Sequence, residues 1–327
     1  MRGLQRLIRR AVALLVALAM AFGALLFLTY RGPGPASAPV TTVILDRGAS
    51  VGRIAAALKS AHIIGSERVF EIAARVTGAG RSLKAGEYEF PRGVSMAQVL
   101  ADIRDGKVVR HLVSVPEGWT SAMAAEAVAA QPVLTGVVET PPEGSLLPDT
   151  YQVQRGQERA DVIAKMRAAR DTLLADLWAH RAPDLPFATP DEAVTLASIV
   201  EKETGVASER PRIAAVFENR LRSHMRLQSD PTIIYAITRG RPLGRGITVS
   251  ELHAATPYNT YEIDGLPPTP IANPGRAALA AVLNPPKSDE LYFVADGTGG
   301  HVFASTLEAH QANVEKWRAI ERTRAGK

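Results

Sequence analysis

The sequence has no cysteine, and its charges of opposite sign nearly balance. With no cysteine among 327 residues, a disulfide framework, a thiol nucleophile, a cysteine-ligated zinc site and an iron–sulfur cluster are excluded. The net charge is only +5, a surplus too small to predict a nucleic-acid partner. A composition of 46% hydrophobic and 22% charged residues also excludes a polytopic membrane protein and a mainly disordered chain. The length favours two soluble domains.

The N-terminus has the composition of a single membrane anchor. An uncharged, mainly apolar run covers residues 11–30, and about 20 apolar residues are enough to cross the hydrocarbon core of a bilayer. Positively charged residues next to a membrane helix stay on the cytoplasmic side. Residues 1–10 are therefore predicted to form a cytoplasmic tail, and everything after Arg31 to lie outside the cell membrane. The arginines that precede the run are Arg2, Arg6, Arg9 and Arg10.

A cleaved signal peptide is the alternative for this segment, because Ala36-Ser37-Ala38 resembles a cleavage site. The apolar run is longer than the roughly 7–15 residues of a signal peptide, and Pro39 would follow the cut. These two features favour an uncleaved anchor. Residues 31–39 are rich in proline and glycine, so they predict an extended tether that holds the soluble part off the bilayer.

Residues 40–115 are predicted to form a small α/β module. Three segments with apolar residues at helical spacing are each preceded by a serine, a common N-cap residue. Runs of β-branched residues, or of alternating apolar and polar residues, indicate the strands. The predicted elements are a strand at 40–45, helices at 50–58, 66–76 and 95–106, and strands at 84–90 and 108–115.

The remaining region, 116–327, holds nearly all the candidate chemistry. Together with the anchor and the module, its elements predict the α+β fold class. The predicted elements of region 116–327 are a long helix at 161–179, a hairpin of strands at 290–294 and 301–303, and a final helix at 306–323.

One helix in this region has a well-defined start. The segment Thr189-Pro190-Asp191-Glu192 combines an N-cap, a proline at the first helical position and a capping-box glutamate. At about 100° per residue, Glu203 lies only about 20° from Leu196 on the apolar stripe, in the last turn. Glu201 lies about 140° from Leu196 on the opposite side. Glu201 is therefore predicted to be solvated.

The position of Glu203 favours a protonated carboxyl group. Burial and the negative end of the helix dipole both raise a carboxyl pKa. A carboxylic acid that stays protonated near neutrality can act as a general acid. The alternative is a structural ion pair between Glu203 and a nearby arginine, either Arg210 or Arg212.

The sequence around Glu203 resembles a known family. Residues 197–204, which contain Glu201-Lys202-Glu203-Thr204, are similar to the signature of the endolytic murein transglycosylases, the YceG-like family. The block at 144–151 resembles the family less, since Leu146 and Leu147 stand in a stretch that is usually aromatic-rich. Further similar blocks occur in the family's order at 206–210, 216–221, 225–232, 258–261, 265–268, 271–275 and 292–297.

The resemblance implies an enzyme that cleaves the β-1,4 bond between N-acetylmuramic acid and N-acetylglucosamine without water. It implies that Glu203 is the catalytic residue, which protonates the leaving oxygen. The carboxylate then accepts the proton of the C6 hydroxyl that attacks C1 and closes a 1,6-anhydro ring. One carboxylate is sufficient for this reaction, whereas ordinary glycosidases need two. No cofactor and no metal are implied.

The resemblance also implies a cellular setting. The module at 40–115 is expected to be LysM-like, and region 116–327 to be a periplasmic catalytic domain. The anchor is expected in a bacterial inner membrane. Peptidoglycan strands are the expected substrate, peptidoglycan synthases are possible protein partners, and nascent strands are expected to be terminated or trimmed.

Five further residues are candidates for holding the glycan. Gln228 and Asp230 precede a proline on a predicted loop, where they could hydrogen-bond sugar hydroxyl or N-acetyl groups; Asp230 could instead cap the next helix. Tyr258, Asn259 and Tyr261 combine aromatic faces with an amide, which suits a sugar ring. They could instead shape a turn.

Two other function classes stay open from the sequence. One is a non-catalytic peptidoglycan-binding scaffold that uses the small module. The other is a pyridoxal-phosphate lyase, which would need a Schiff-base lysine and a phosphate cup; no Gly-rich cup precedes a helix here. His301 and His310 lack zinc-site partners at motif spacing and are assigned structural roles.

Overall fold

The structure is a computed structural model that describes residues 2–325. Met1, at the start of the predicted cytoplasmic tail, and Gly326 and Lys327, at the end of the predicted catalytic region, lie outside the described residues. Helices and short strand pairs alternate along the described chain, which is the α+β class predicted from the sequence.

The helices and strands are numbered in chain order. The helices are α1 (Arg2–Arg31), α2 (Val51–Ser60), α3 (Glu67–Val76), α4 (Met96–Asp105), α5 (Ser121–Ala129), α6 (Arg159–Ala179), α7 (Pro190–Glu203), α8 (Arg210–Arg222), α9 (Asp230–Thr238), α10 (Val249–Leu252), α11 (Arg276–Leu283) and α12 (Leu307–Ala325). The strands are β1 (Val40–Leu45), β2 (Gly86–Pro91), β3 (His111–Ser114), β4 (Thr150–Val153), β5 (Tyr292–Ala295) and β6 (His301–Ala304).

Helix α1 fits a single-pass membrane anchor. Its apolar part, Arg9–Arg31, has 23 residues, and its most apolar stretch is not covered by the rest of the protein. The helix extends beyond the predicted span of 11–30 at both ends. The apolar N-terminal helix expected from the sequence is thus present.

The segment after α1 is irregular, as predicted, but it does not form a free tether. The Gly32 N–H donates to the Leu28 carbonyl at 2.7 Å, and the Gly34 N–H donates to the Val94 carbonyl at 3.1 Å. A β-carbon at Gly34 would lie 2.5 Å from the Val94 oxygen, so only glycine permits this backbone approach. Residues 31–39 therefore do not run free of the first unit. The segment packs against the strand–helix module instead.

The chain divides into two compact units, the first of which runs to His111 and takes in Gln152–Gly156. Its sheet consists of β1 and β2, paired antiparallel with Val40 opposite Pro91 and Leu45 opposite Gly86. Helices α2, α3 and α4 begin after the predicted serine caps, which are confirmed: each serine side chain accepts the N–H three residues later.

The core of the first unit lies between one face of the sheet and the helices. Alternate residues of β1, such as Val43 and Leu45, are buried there, whereas Ile44 is exposed on the other face. Phe70 and Ala74 of α3 are fully buried against the same core. Apolar burial of this kind stabilises the unit.

Strand β3 is shorter than the predicted 108–115, and it pairs with β4, which was not predicted. The backbone N–H of Val115 donates to the Asp149 carbonyl at 3.0 Å beside these strands. The two strands lie far apart in the sequence, so the local pattern of residues could not reveal that they pair.

The second unit is built around α7, which packs against both α8 and α11. The capping box that starts α7 is confirmed. The Thr189 side chain accepts the Glu192 N–H, and the Glu192 side chain accepts the Thr189 N–H. The predicted hairpin of β5 and β6 is also confirmed, with Tyr292 opposite Ala304 and Ala295 opposite His301. The core around α7 fixes the position of its last turn, where the candidate chemistry lies.

Candidate active site

The carboxyl group of Glu203 ends α7 and is partly buried. The next residue, Thr204, is extended with φ −137°, so the helix stops at this point. Removal of the carboxyl group from water raises the pKa of Glu203 from 4.5 to about 7. A hydrogen bond from Ser229 opposes that shift, and the negative charge of Asp230 adds to it. Near neutrality, the group can therefore donate a proton.

Ser229 is the direct partner of Glu203. It is buried and stands at the N-cap position of α9, but its side chain does not cap that helix. Its hydroxyl donates instead to Oε1 of Glu203 at 2.5 Å. The Ser229 N–H donates to Oγ1 of Thr260 at 2.9 Å, which fixes the serine backbone. Sequence analysis missed this residue, although the Asp-Pro that follows it marks the N-cap position.

Asp230 and Tyr261 form a pair beside Glu203. The Tyr261 hydroxyl donates to Oδ1 of Asp230 at 2.7 Å. Burial, followed by this hydrogen bond, raises the pKa of Tyr261, and the charge of Glu203 contributes in the same direction. The structure thus brings together three of the predicted site residues. Asp230 is the first residue of α9, with Ser229 at the N-cap, so the alternative that Asp230 caps this helix is wrong.

Gln228 lies one residue before Ser229, with an unusual backbone conformation at φ 54°. Its Oε1 accepts from Nη1 of Arg220 at 3.3 Å. Arg220 is buried; its Nε donates to the Leu291 carbonyl at 2.7 Å and its Nη1 to the Leu227 carbonyl at 2.8 Å. The positive charge of Arg220 acts to lower the pKa of Glu203. Gln228 therefore belongs to the same cluster, through the arginine.

Tyr258 and Asn259 make their contacts elsewhere. The Tyr258 hydroxyl lies 2.8 Å from Oγ1 of Thr269, and its ring packs at 5.0 Å from that of Tyr235. Asn259 is buried; its amide donates to two backbone carbonyls and its oxygen accepts the Tyr261 N–H at 3.0 Å. For Asn259 this geometry favours the alternative role, a residue that shapes the turn and positions Tyr261.

The prediction that Glu201 is solvated is wrong. Its side chain is only 3% exposed, its Oε1 accepts from Nη2 of Arg210 at 2.8 Å, and its Oε2 accepts the Gly275 N–H at 2.9 Å. Helices α8 and α11 cover α7 on more than one side, so the polar face read from the helical phase is also buried. Arg210 also pairs with Glu117, and Arg212 pairs with Glu290. The structural ion pair proposed as the alternative for Glu203 is thus made by Glu201.

A second cluster missed by sequence analysis adjoins the end of α7. The imidazole Nδ1 of His301 lies 2.8 Å from Oε2 of Glu209, and the His301 N–H donates to the other carboxylate oxygen at 2.7 Å. The Thr204 hydroxyl donates to Glu209 at 3.1 Å. The charge of His301 acts to lower the pKa of Glu203. His301 therefore links the hairpin to Glu209, in the segment that follows α7.

A cavity of about 290 Å³ lies in the second unit, and two of its lining residues, Lys202 and Pro231, are sequence neighbours of Glu203 and Asp230. The other lining residues are Ile234, Tyr235, residues 240–243 and Ile271. Within residues 2–325, no three His, Asp or Glu side chains are placed to hold a metal ion.

Comparisons with known proteins agree with the resemblance noted in the sequence. The YceG-like family matches residues 43–316. The endolytic murein transglycosylase of Bacillus subtilis is 28% identical over 313 residues, which cover 86% of each chain. That of Streptococcus pneumoniae is 30% identical over 326 residues, 84% of this chain and 57% of the relative. The crystal structure of a YceG-like protein from Listeria monocytogenes has a TM-score of 0.53 at 30% identity, covering 84% of this chain and 98% of the other.

Proposed function

The chain belongs to the YceG-like family, and from this premise we propose that it is a peptidoglycan lytic transglycosylase whose catalytic residue is Glu203. The names of the relatives from Bacillus subtilis and Streptococcus pneumoniae, both endolytic murein transglycosylases, support the substrate and the enzyme class. The observation that carries the catalytic assignment is the pKa of Glu203, raised to about 7 by burial at the end of α7.

The proposed reaction needs one acid that changes role. Protonated Glu203 donates to the glycosidic oxygen as the bond to the muramic acid C1 breaks. The resulting carboxylate accepts the proton of the C6 hydroxyl as that oxygen bonds to C1, which gives a 1,6-anhydro end and restores the acid. Protons balance within this cycle and no water enters. A carboxyl group with a pKa near 7 suits both halves.

The neighbours of Glu203 have distinct proposed roles. Ser229 holds the carboxyl group in one orientation and stabilises its charged form after proton transfer. The carboxylate of Asp230, held by Tyr261, places negative charge where positive charge develops on the sugar ring. Gln228 and Tyr258 are proposed as outer contacts of the glycan.

The proposed setting is a bacterial inner membrane, with the N-terminus cytoplasmic and the catalytic region periplasmic. The apolar helix α1 supports the anchor, and the arginines before it support the orientation. Residues 40–115 are proposed as a LysM-like module and 116–327 as the catalytic domain. Termination or trimming of nascent strands, in contact with peptidoglycan synthases, is the proposed role.

Digestion of purified sacculi tests the proposal. The full chain should release fragments with 1,6-anhydro ends, identified by mass spectrometry, and Glu203→Gln should release none. Glu321→Gln is the matched control, because Glu321 is exposed on α12 and its substitution should leave the yield unchanged. Anhydro fragments from Glu203→Gln at a yield within about tenfold of the wild type would overturn the catalytic assignment. A wild-type chain that binds sacculi and releases nothing would indicate the non-catalytic scaffold instead.

A further inference from the structure

Helix α3 has a second apolar stripe, of which Val69 packs partly against the core of its unit while the rest faces outward. Phe70 and Ala74 are buried inside, whereas Val69, Ile72 and Val76 recur every three or four residues on another side of the helix. Ile72 is 49% exposed and Val76 is 80% exposed. Large apolar side chains exposed together on one stripe indicate a surface that is covered in use.

The end of α1 contributes to the same surface. A groove of about 220 Å³ is shared by the two helices, and Tyr30 packs against the core of the first unit. The groove is lined on one side by Leu26, Phe27 and Tyr30 of α1, and on the other by Val69, Ile72 and Val76 among the residues of α3. The apolar surface of α1 therefore continues onto α3 without interruption.

The length of α1 sets the depth of this groove. At 1.5 Å per residue, a 23-residue span from Arg9 to Arg31 is about 34 Å long, slightly more than the roughly 30 Å of a hydrocarbon core. Arg31 then lies at the outer boundary. Phe27 is four residues earlier and so about 6 Å deeper. Tyr30, close to Arg31, has the amphipathic character of residues at that boundary. A groove that includes Phe27 thus opens among lipid chains.

The charges beside the stripe match a phospholipid surface. At about 100° per residue, Arg68 and Arg75 lie about 40–60° from Ile72, between it and the acidic side of α3. Both arginines are exposed, and neither forms an ion pair with another described residue. Long basic side chains beside an apolar stripe can reach lipid phosphates while the stripe contacts acyl chains.

The chain after α1 leaves little freedom to lift this surface away. Gly34 is hydrogen-bonded to the Val94 carbonyl, and the N–H of Arg92 donates to the Pro39 carbonyl at 3.0 Å. The first unit is therefore attached directly at the end of α1.

We propose that the stripe Val69, Ile72 and Val76, together with the last turns of α1, is a membrane-docking surface. It lies in the boundary between headgroups and acyl chains of the leaflet from which α1 emerges, and its occupant is phospholipid. This inference rests on the proposed membrane anchor and goes beyond it, because an anchor alone requires no contact between α3 and lipid.

The absence of cysteine allows a direct test with single-cysteine variants of the full chain. Val76→Cys, Ile44→Cys and Leu18→Cys are each labelled with an environment-sensitive fluorophore and reconstituted into phosphatidylcholine–phosphatidylglycerol vesicles. Ile44 is the matched control, because it is a β-branched residue of the same unit, 50% exposed, on the outer face of the sheet. Leu18 reports on the anchor itself. Quenchers are a lipid carrying a nitroxide near the top of its acyl chain, and aqueous iodide.

The docking surface predicts that the lipid nitroxide quenches the label at Val76→Cys at least about twofold more than at Ile44→Cys, and that iodide shows the reverse order. Equal quenching at these two positions, with Leu18→Cys quenched by lipid, would overturn the docking surface and leave the anchor intact. Protection of Val76→Cys from both quenchers would also overturn it, because protein would then cover the stripe. A label at Leu18→Cys that lipid does not quench would overturn the anchor and the docking surface together.

Discussion

The surroundings of Glu201 and Glu203 differ sharply, although one residue separates the two glutamates in the last turn of α7. The Glu201 carboxylate is closed in by a guanidinium group and a backbone N–H, so its charge is fully compensated. Glu203 has one hydroxyl partner, and its burial outweighs the favourable charges of His301 and Arg220, which the charge of Asp230 also opposes. A compensated carboxylate stabilises the fold, whereas an under-compensated one is free to exchange a proton. Packing around the helix, rather than residue type, assigns the two roles.

Substitution of Glu203 should have the largest effect on activity. Glu203→Gln keeps the shape of the side chain but cannot transfer a proton, so kcat/KM should fall by about 1,000-fold or more, as expected for loss of a general acid and base. The rate of anhydro-end formation from isolated glycan strands measures it. A loss of less than about tenfold would mean that another group supplies the proton.

Substitution of Glu201 should affect stability instead. Glu201→Gln leaves the guanidinium of Arg210 without its main partner in a buried site, which costs about 3 kcal/mol of unfolding free energy. Activity per folded molecule should change little. Thermal and denaturant unfolding in detergent measures the loss, and a variant as stable as the wild type would contradict the account.

The pH dependence of stability separates the two glutamates further. Because the pKa of Glu203 rises from 4.5 to about 7 on folding, its contribution to stability is fully present below pH 4.5 and is lost as the pH rises through about 7. Glu203→Gln removes that loss, so the variant should be more stable than the wild type at pH 8. Glu201→Gln should be less stable at the same pH.

Removal of the Ser229 hydroxyl should move the pH profile. The hydroxyl stabilises the charged form of Glu203, so in Ser229→Ala the pKa of Glu203 rises and the alkaline limb of kcat/KM moves to higher pH. Loss of about 1 kcal/mol of hydrogen bonding should also lower kcat about fivefold. Ser229→Thr keeps the donor and should restore the wild-type limb. An unmoved limb in Ser229→Ala would show that the serine is only structural.

Neutralisation of Asp230 should move the same limb in the opposite direction. The negative charge of Asp230 raises the pKa of Glu203, so in Asp230→Asn that pKa falls and the alkaline limb moves to lower pH. The limb position is the readout, because substrate contacts also affect the rate. A shift in the same direction as that of Ser229→Ala would contradict the assigned electrostatics.

Local features of the sequence predicted much of the fold. The capping box at Thr189 and Glu192 fixed the start of α7, and helical phase then placed Glu203 on the covered side. Serine caps located the helices of the first unit, because a cap and the helix that it begins are adjacent in sequence.

The errors came from contacts between distant segments. Glu201 was predicted to be solvated because helical phase cannot show that α8 and α11 cover a second side. His301 reaches Glu209 across 92 residues, and Ser229 reaches Glu203 across 26. In the segment after α1, Gly34 makes a close backbone contact with Val94, whereas its composition predicted flexibility. Composition alone does not distinguish these two uses of glycine.

The protonation of Glu203 is the central claim, and direct titration of its carboxyl group tests it best. Carbon NMR of the chain labelled at glutamate carboxyl carbons, with Glu203→Gln to assign the resonance, gives the pKa. The account predicts a midpoint of about 7, matching the alkaline limb of kcat/KM. A midpoint near the ordinary 4.5 in an active enzyme would contradict it.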